Sequence, residues 1–135
     1  MTVRQKRRRL SRSAEFDRVY RHGRSAGSRH LVLYAFPRSD AGEEPNGDRE
    51  PRLGVSVGRR VGGAVARNRV KRLVREAFWS LGDELPQEHD YVVVARPDAR
   101  DLAERDGLEG LRRELVELSG RLGLGGEDGG DERDS

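Results

Sequence analysis

Cysteine is absent from the chain. Disulfide frameworks and thiolate-ligated zinc sites are therefore excluded, and the absence fits a cytoplasmic protein. No apolar run approaches the roughly 20 residues of a membrane span. The basic N-terminus is followed by no apolar h-region, so the sequence reads as having no secretory signal. His22, His30 and His89 lie far apart without metal-ligand spacing, and His22, beside Gly23 at a helix end, reads as structural. No metal site is expected on the protein. The stretch Gly58-Arg59-Arg60-Val61-Gly62-Gly63 lacks the Gly-Lys-Ser/Thr ending of a phosphate-binding loop. The acids stand mainly in a loop, the last helix and the tail, which are poor supports for protein-borne chemistry. No catalytic residue and no small-molecule substrate is expected.

Hydrophobic residues make up 33% of the 135 residues and charged residues 38%, enough for one small core with flexible additions. The charge is placed rather than spread. Residues 1–30 carry ten Lys/Arg against two Asp/Glu, and residues 52–79 carry eight against one. Residues 80–135 reverse the balance, with seven against sixteen. Two concentrated basic segments are the footprint of a polyanion partner.

Residues 1–12 form a basic N-terminal arm that includes Arg7, Arg8, Arg9 and Arg12. A short helix is expected from about Ala14 to Arg21, capped by Ser13 and ended by a left-handed Gly23. Phe16, Val19 and Tyr20 share one of its faces. His30 to Phe36 alternates as a strand, with Val32, Tyr34 and Phe36 on one side and Leu31, Leu33 and Ala35 on the other. Residues 38–51 read as a flexible acidic loop. Arg52 to Val57 is a second strand, whose small Gly54 and Ser56 leave room for a helix or a ligand to approach. Tyr91 to Ala95 is a continuous apolar strand suited to burial on both faces. A final helix is expected from about Leu108, striped by Leu111, Leu115, Leu118 and Leu122. Residues 123–135 read as a disordered acidic tail, leaving 13–122 as one α/β domain.

The long helix between the last two strands, about Gly62 to Leu81, is the most informative element. At about 100° per residue, Val70, Leu73, Val74, Ala77, Phe78 and Leu81 gather on one side. Asn68, Lys71, Arg72, Arg75 and Trp79 gather on the other, with Arg67 and Arg69 flanking. The apolar stripe is complete without a single basic residue. Glu76 is the one acid in the segment, so intrahelical pairs cannot neutralise the face, and Lys71 and Arg75 repel at i, i+4. A solvated polar face is the plain alternative, but such repulsion makes more sense as an RNA grip.

The run Arg67-Asn68-Arg69-Val70-Lys71-Arg72-Leu73-Val74-Arg75-Glu76-Ala77-Phe78 resembles the arginine-rich signature helix of the protein subunit of bacterial ribonuclease P. Gly54-Val55-Ser56-Val57 with Arg59-Arg60-Val61-Gly62 is similar to the strand and turn that lead into it. Arg9-Leu10, Phe16, Tyr20, His22-Gly23, Val32-Leu33-Tyr34 and Asp90 to Arg96 also match, so the resemblance spans roughly residues 4–122. It implies an α+β fold, an α/β sandwich of the ribosomal protein S5 domain 2-like type. That fold has about four strands, three helices and a left-handed βαβ crossover, against the roughly 98% right-handed preference. Only three strands can be placed from pattern.

The resemblance also implies a function in which a partner RNA, using Mg²⁺ held mainly by that RNA, removes the 5′ leader of precursor tRNA. Arg59, Arg60, Arg67, Asn68, Arg69, Lys71, Arg72 and Arg75 would bind the catalytic RNA. Phe16, Tyr20, Val32 and Tyr34 would line a cleft for the leader. Spacing alone favours core packing for these aromatics, although stacking on any base would suit leaders of varied sequence. Gly63 departs from the polar residue, usually Asn, common in the family. A ribosome-associated or general RNA-binding protein of similar fold, or a DNA-binding protein, remain alternative readings.

Overall fold

The computed structural model describes residues 8–10, 13–37 and 51–124. The acidic loop 38–50 and the residues from 125 onward lie outside the described residues, as do Arg7 and Arg12. Besides short 3-10 turns at Arg59–Val61 and Gly82–Glu84, the described residues form the strands and α-helices β1 (Arg8–Arg9), α1 (Ser13–His22), β2 (Arg24–Gly27), β3 (Leu31–Pro37), β4 (Arg52–Val57), α2 (Ala64–Trp79), β5 (His89–Ala95) and α3 (Ala99–Arg121). The strands form one mixed sheet in the order β1-β4-β5-β3-β2. Its body is four-stranded, with the two-residue β1 added at the β4 edge. β4 and β5 run parallel and are joined through α2, while β3 pairs antiparallel to both β5 and β2.

The alternation along β3 sorts residues to two cores. Leu31, Leu33 and Ala35 join Leu53, Val55, Tyr91 and Val93 against the buried stripes of α2 and α3. Phe36 joins Val92, Leu10 and Val19 beneath α1, with Phe16, Tyr34 and Val94 packed at the margin. The sheet is therefore sandwiched between α1 on one face and α2 with α3 on the other. β5 occupies the middle, and its Tyr91, Val92 and Val93 are fully buried, as a continuous apolar run requires.

Four local features differ from the pattern-based reading. β2 has no apolar alternation because it is an outer strand, half of its residues exposed, held by a hairpin to β3. Arg8 and Arg9 are docked as an edge strand on Arg52 and Leu53, with Leu10 buried behind them. Gly23 is not left-handed. It is small because an added Cβ would stand 2.6 Å from the Val19 carbonyl oxygen and 2.7 Å from that of Ala35. The final helix does start near Leu108, but a further helical stretch from Ala99 precedes it; the two are joined across Gly107, whose φ of 61° and ψ of −145° are not helical, and the whole span is labelled α3. Ala99, Leu102 and Ala103 are buried before the break, whereas Leu108 is exposed.

Candidate RNA interface

α2 is amphipathic because its apolar residues recur at helical spacing, and the structure buries that stripe. Val70, Val74, Ala77 and Phe78 are buried against the sheet and α3. The opposite face carries Asn68, Arg69 and Arg72 exposed, with Arg67, Lys71 and Arg75 half-buried. Arg59 and Arg60, in the 3-10 turn before the helix, are exposed as well. No ion pair or hydrogen bond joins the side chain of any of these cations to another described residue. The Arg67 Nε is buried without a partner. Arg75 is also half-withdrawn from water, which lowers its pKa from the usual arginine value, and the nearby charge of Arg9 lowers it further. An arginine remains protonated under such pressure, so the face is a concentrated positive surface that no described residue neutralises. Gly63 precedes the helix in an extended conformation and offers no side chain to cap it.

The second surface is built in rows across the other face of the sheet. Register places Phe36, Asp90 and Arg52 side by side, then Tyr34, Val92 and Gly54, then Val32, Val94 and Ser56. α1 covers the first two rows. Arg52 makes a two-pronged contact with the fully buried Asp90, at 2.9 Å through both Nε and Nη2, and reaches Glu15 of α1 at 3.4 Å. Arg18 lies over the Phe36 ring at 5.7 Å. Phe16 fills the space above Gly54, where an added Cβ would come within 2.5 Å of its ring.

The third row stays open. Val32, Val94 and Ser56 are only partly buried and form a floor about three strands wide, roughly 10 Å from strand axis to strand axis. Beside it stands an aromatic wall. Tyr20 meets Tyr34 edge-on at 4.9 Å and Phe16 at 6.3 Å. Tyr20 is 39% exposed. Burial pushes its hydroxyl above the usual tyrosine pKa, the facing Ser56 side chain offsets part of this, and Tyr34 adds to it. The hydroxyl therefore stays neutral and can donate.

Phe16, Tyr20, Val32 and Tyr34 are thus brought together, although they come from two elements. The basic residues of α2 form a continuous face with Arg59 and Arg60 at its N-terminal end. Of the basic arm, Arg9 is exposed and joins the α2 surface near Arg75. Pattern reading missed Val94 as part of the groove floor, since only the strand register makes it a neighbour of Val32 and Ser56. The small residues at 54 and 56 were the available signal. Among the described residues, no three His, Asp or Glu side chains come close enough to hold a metal ion. His30 instead bonds Glu114 at 3.0 Å, and His89 meets the Gln87 carbonyl oxygen at 2.9 Å.

An α+β sandwich with a cationic helix face on one side, unpaired among the described residues, has the general form of a polyanion-binding protein. Comparison with known proteins narrows the class. The ribonuclease P family model matches residues 5–122. The ribonuclease P protein component of Bacillus pumilus is 44% identical over 97 residues, covering 72% of this chain and 76% of that protein. That of Shouchella clausii is 46% identical over 98 residues, covering 73% and 75%. The Staphylococcus aureus RNase P protein structure superposes with a TM-score of 0.73 at 27% identity, covering 90% of this chain and all of that one. The Thermotoga maritima RNase P protein gives 0.67 at 29%, covering 82% and 94%. The chain belongs to the family of ribonuclease P protein components, the protein subunit of a ribonucleoprotein endoribonuclease that acts in tRNA processing. Catalysis in this family resides in the RNA. These findings do not favour the ribosome-associated or DNA-binding alternatives.

Proposed function

We propose that the exposed face of α2 binds the catalytic RNA and that the groove between α1 and the sheet holds the 5′ leader of precursor tRNA. The observation that carries the first half is the set of cations along α2 left without partners among the described residues. Guanidiniums suit phosphate because their fork matches two oxygens at once. Arg59, Arg60, Arg67, Asn68, Arg69, Lys71, Arg72 and Arg75 are the residues assigned to this contact. The second half rests on Phe16, Tyr20, Val32 and Tyr34 lining an open groove with Val94 and Ser56 at its floor. Stacking contributes about 1–3 kcal/mol per base and accepts any base. Leaders differ in sequence, so a groove without a hydrogen-bonding code suits them.

Mg²⁺ is assigned mainly to the RNA subunit, where it supplies the activation of water for phosphodiester hydrolysis. The described protein residues offer no donor cluster for it. The protein's part is to position. Cations of α2 reduce the repulsion between two RNA molecules that must approach closely, so less Mg²⁺ is needed to hold them together. Placement among the cytoplasmic RNAs follows from these partners.

Reconstitution tests the whole reading. Added to a bacterial ribonuclease P RNA, the protein is expected to raise cleavage of precursor tRNA strongly at low Mg²⁺. Unchanged cleavage would reject it. Replacing Arg69 and Arg72 by Ala should weaken catalytic-RNA binding and flatten its salt dependence, by about 0.9 for each duplex phosphate that is no longer neutralised. An unaltered slope would mean that this face does not meet phosphate. Phe16→Ala, if it stays folded, should weaken precursor tRNA binding more than mature tRNA binding; equal losses would remove the leader from the groove.

A further inference from the structure

At the C-terminal end of the cationic face the surface closes into a pocket of about 260 Å³. Its walls come from three parts of the chain: Arg9 on β1, Leu53 on β4, and Arg72, Arg75, Glu76 and Trp79 on the last turns of α2. β1 makes this possible by pairing Arg9 with Leu53 at the sheet edge. Helical projection puts Trp79 on the basic face, yet it is half-buried and packs on the main core. Its ring meets Phe78 edge-on at 5.0 Å and 89°, which fixes its plane at the pocket wall.

We propose that this pocket holds an unpaired nucleotide of the catalytic RNA, its phosphate among Arg9, Arg72 and Arg75 and its base against Trp79. This rests on the assignment of the α2 face to that RNA, and the pocket is continuous with that face. Three guanidiniums converge on the pocket with no ion pair to any described residue. Glu76, four residues beyond Arg72, makes no ion pair with it either. Burial and the charge of Arg9 both depress the Arg75 pKa, so the apo protein holds mutually repelling cations that a phosphate would relieve. Aromatic and guanidinium planes both stack on bases. The Glu76 carboxylate at the pocket wall can accept from a base amino group, which favours guanine, adenine or cytosine over uracil. A tryptophan that merely shielded the core would need no convergent cations around it.

Trp79 is the single tryptophan of the chain, so its emission reports on the pocket without any mutation. The wild-type protein is titrated with a bacterial ribonuclease P RNA transcript, with no tRNA present. The expected result is quenching of the Trp79 emission that saturates with binding. Trp79→Leu should weaken RNA binding about five-fold or more while leaving the salt slope unchanged, because stacking releases no counterion. Trp79→Phe should restore most of that loss. Arg9→Ala should reduce the slope by about 0.7–0.9. Unchanged emission at saturating RNA overturns the proposal, as does a response that appears only after precursor tRNA is added. Arg69→Ala, on the same helix but outside the pocket, separates the two levels. If it weakens binding while Trp79 emission is silent, the helix still grips RNA and only the pocket fails. If it also has no effect, the assignment of the α2 face fails with it.

Discussion

Gly54 and Phe16 show how a single missing side chain shapes the groove. With an added Cβ only 2.5 Å from the Phe16 ring, Gly54→Ala must push Phe16 out of the wall. Overpacking of this kind costs about 1–3 kcal/mol. The variant is expected to lose affinity for precursor tRNA but not for mature tRNA, measured by competition binding to the reconstituted holoenzyme. Arg52 acts one row away. It covers the fully buried Asp90 carboxylate and reaches α1 through Glu15. Arg52→Met would remove the two-pronged contact to the buried Asp90 carboxylate. Removing one partner of a buried pair destabilises by about 3–5 kcal/mol, so thermal unfolding should move down by roughly ten degrees or more. A melting temperature within two or so degrees of wild type would show that the pair does not hold α1 to the sheet.

α2 combines a stable inner stripe with an outer face that opposes its own formation. Lys71 and Arg75 repel at i, i+4, and Gly63 gives the N-terminus no side-chain cap. Packing of Val70, Val74, Ala77 and Phe78 therefore carries the helix. Gly63→Asn should cap it and raise stability by a few tenths of a kcal/mol, read from the midpoint of urea unfolding, without changing RNA affinity. A decrease would show that the extended conformation at this position is not one Asn can use. α3 is also built against a local weakness. Gly107 interrupts it, yet Ala99, Leu102 and Leu111 remain on the core side across the break.

The two candidate surfaces lie on opposite sides of one sheet and meet at β4. Tyr20, Phe16 and the open row stand on one face of that strand, and α2 packs against the other. Neither surface borrows a side chain from the other, apart from the shared backbone of β4. Substitutions at such separated sites add to within about 0.5 kcal/mol. Phe16→Ala and Arg69→Ala are therefore expected to be additive in precursor tRNA binding by the holoenzyme. A coupling well beyond that limit, measured in a double-mutant cycle, would show that leader and catalytic RNA contact one continuous site.

Much of this was legible along the chain because it depends on local periodicity. The inner and outer faces of α2 follow from 3.6-residue spacing, and the two sides of β3 follow from alternation. Burial follows the pattern for Val70, Val74, Ala77 and Phe78 of α2 and for Leu31, Leu33 and Ala35 of β3, whereas Trp79, on the outer face by projection, also packs on the core. Motif resemblance supplied the family, through a run of residues contiguous on one helix. What lay beyond the sequence comes from contacts between distant segments. β2 is too polar to announce itself and exists through pairing with β3. Arg9 reaches Arg75 and Trp79 only because β1 docks beside β4. The row Val32, Val94 and Ser56 is set by strand register, and the Arg52–Asp90 pair joins two strands that α2 separates in sequence. Periodicity tells which way a side chain faces, but not which other segment stands opposite. That second choice belongs to the packing of the sheet, and it turned a basic helix and three scattered aromatics into two defined surfaces.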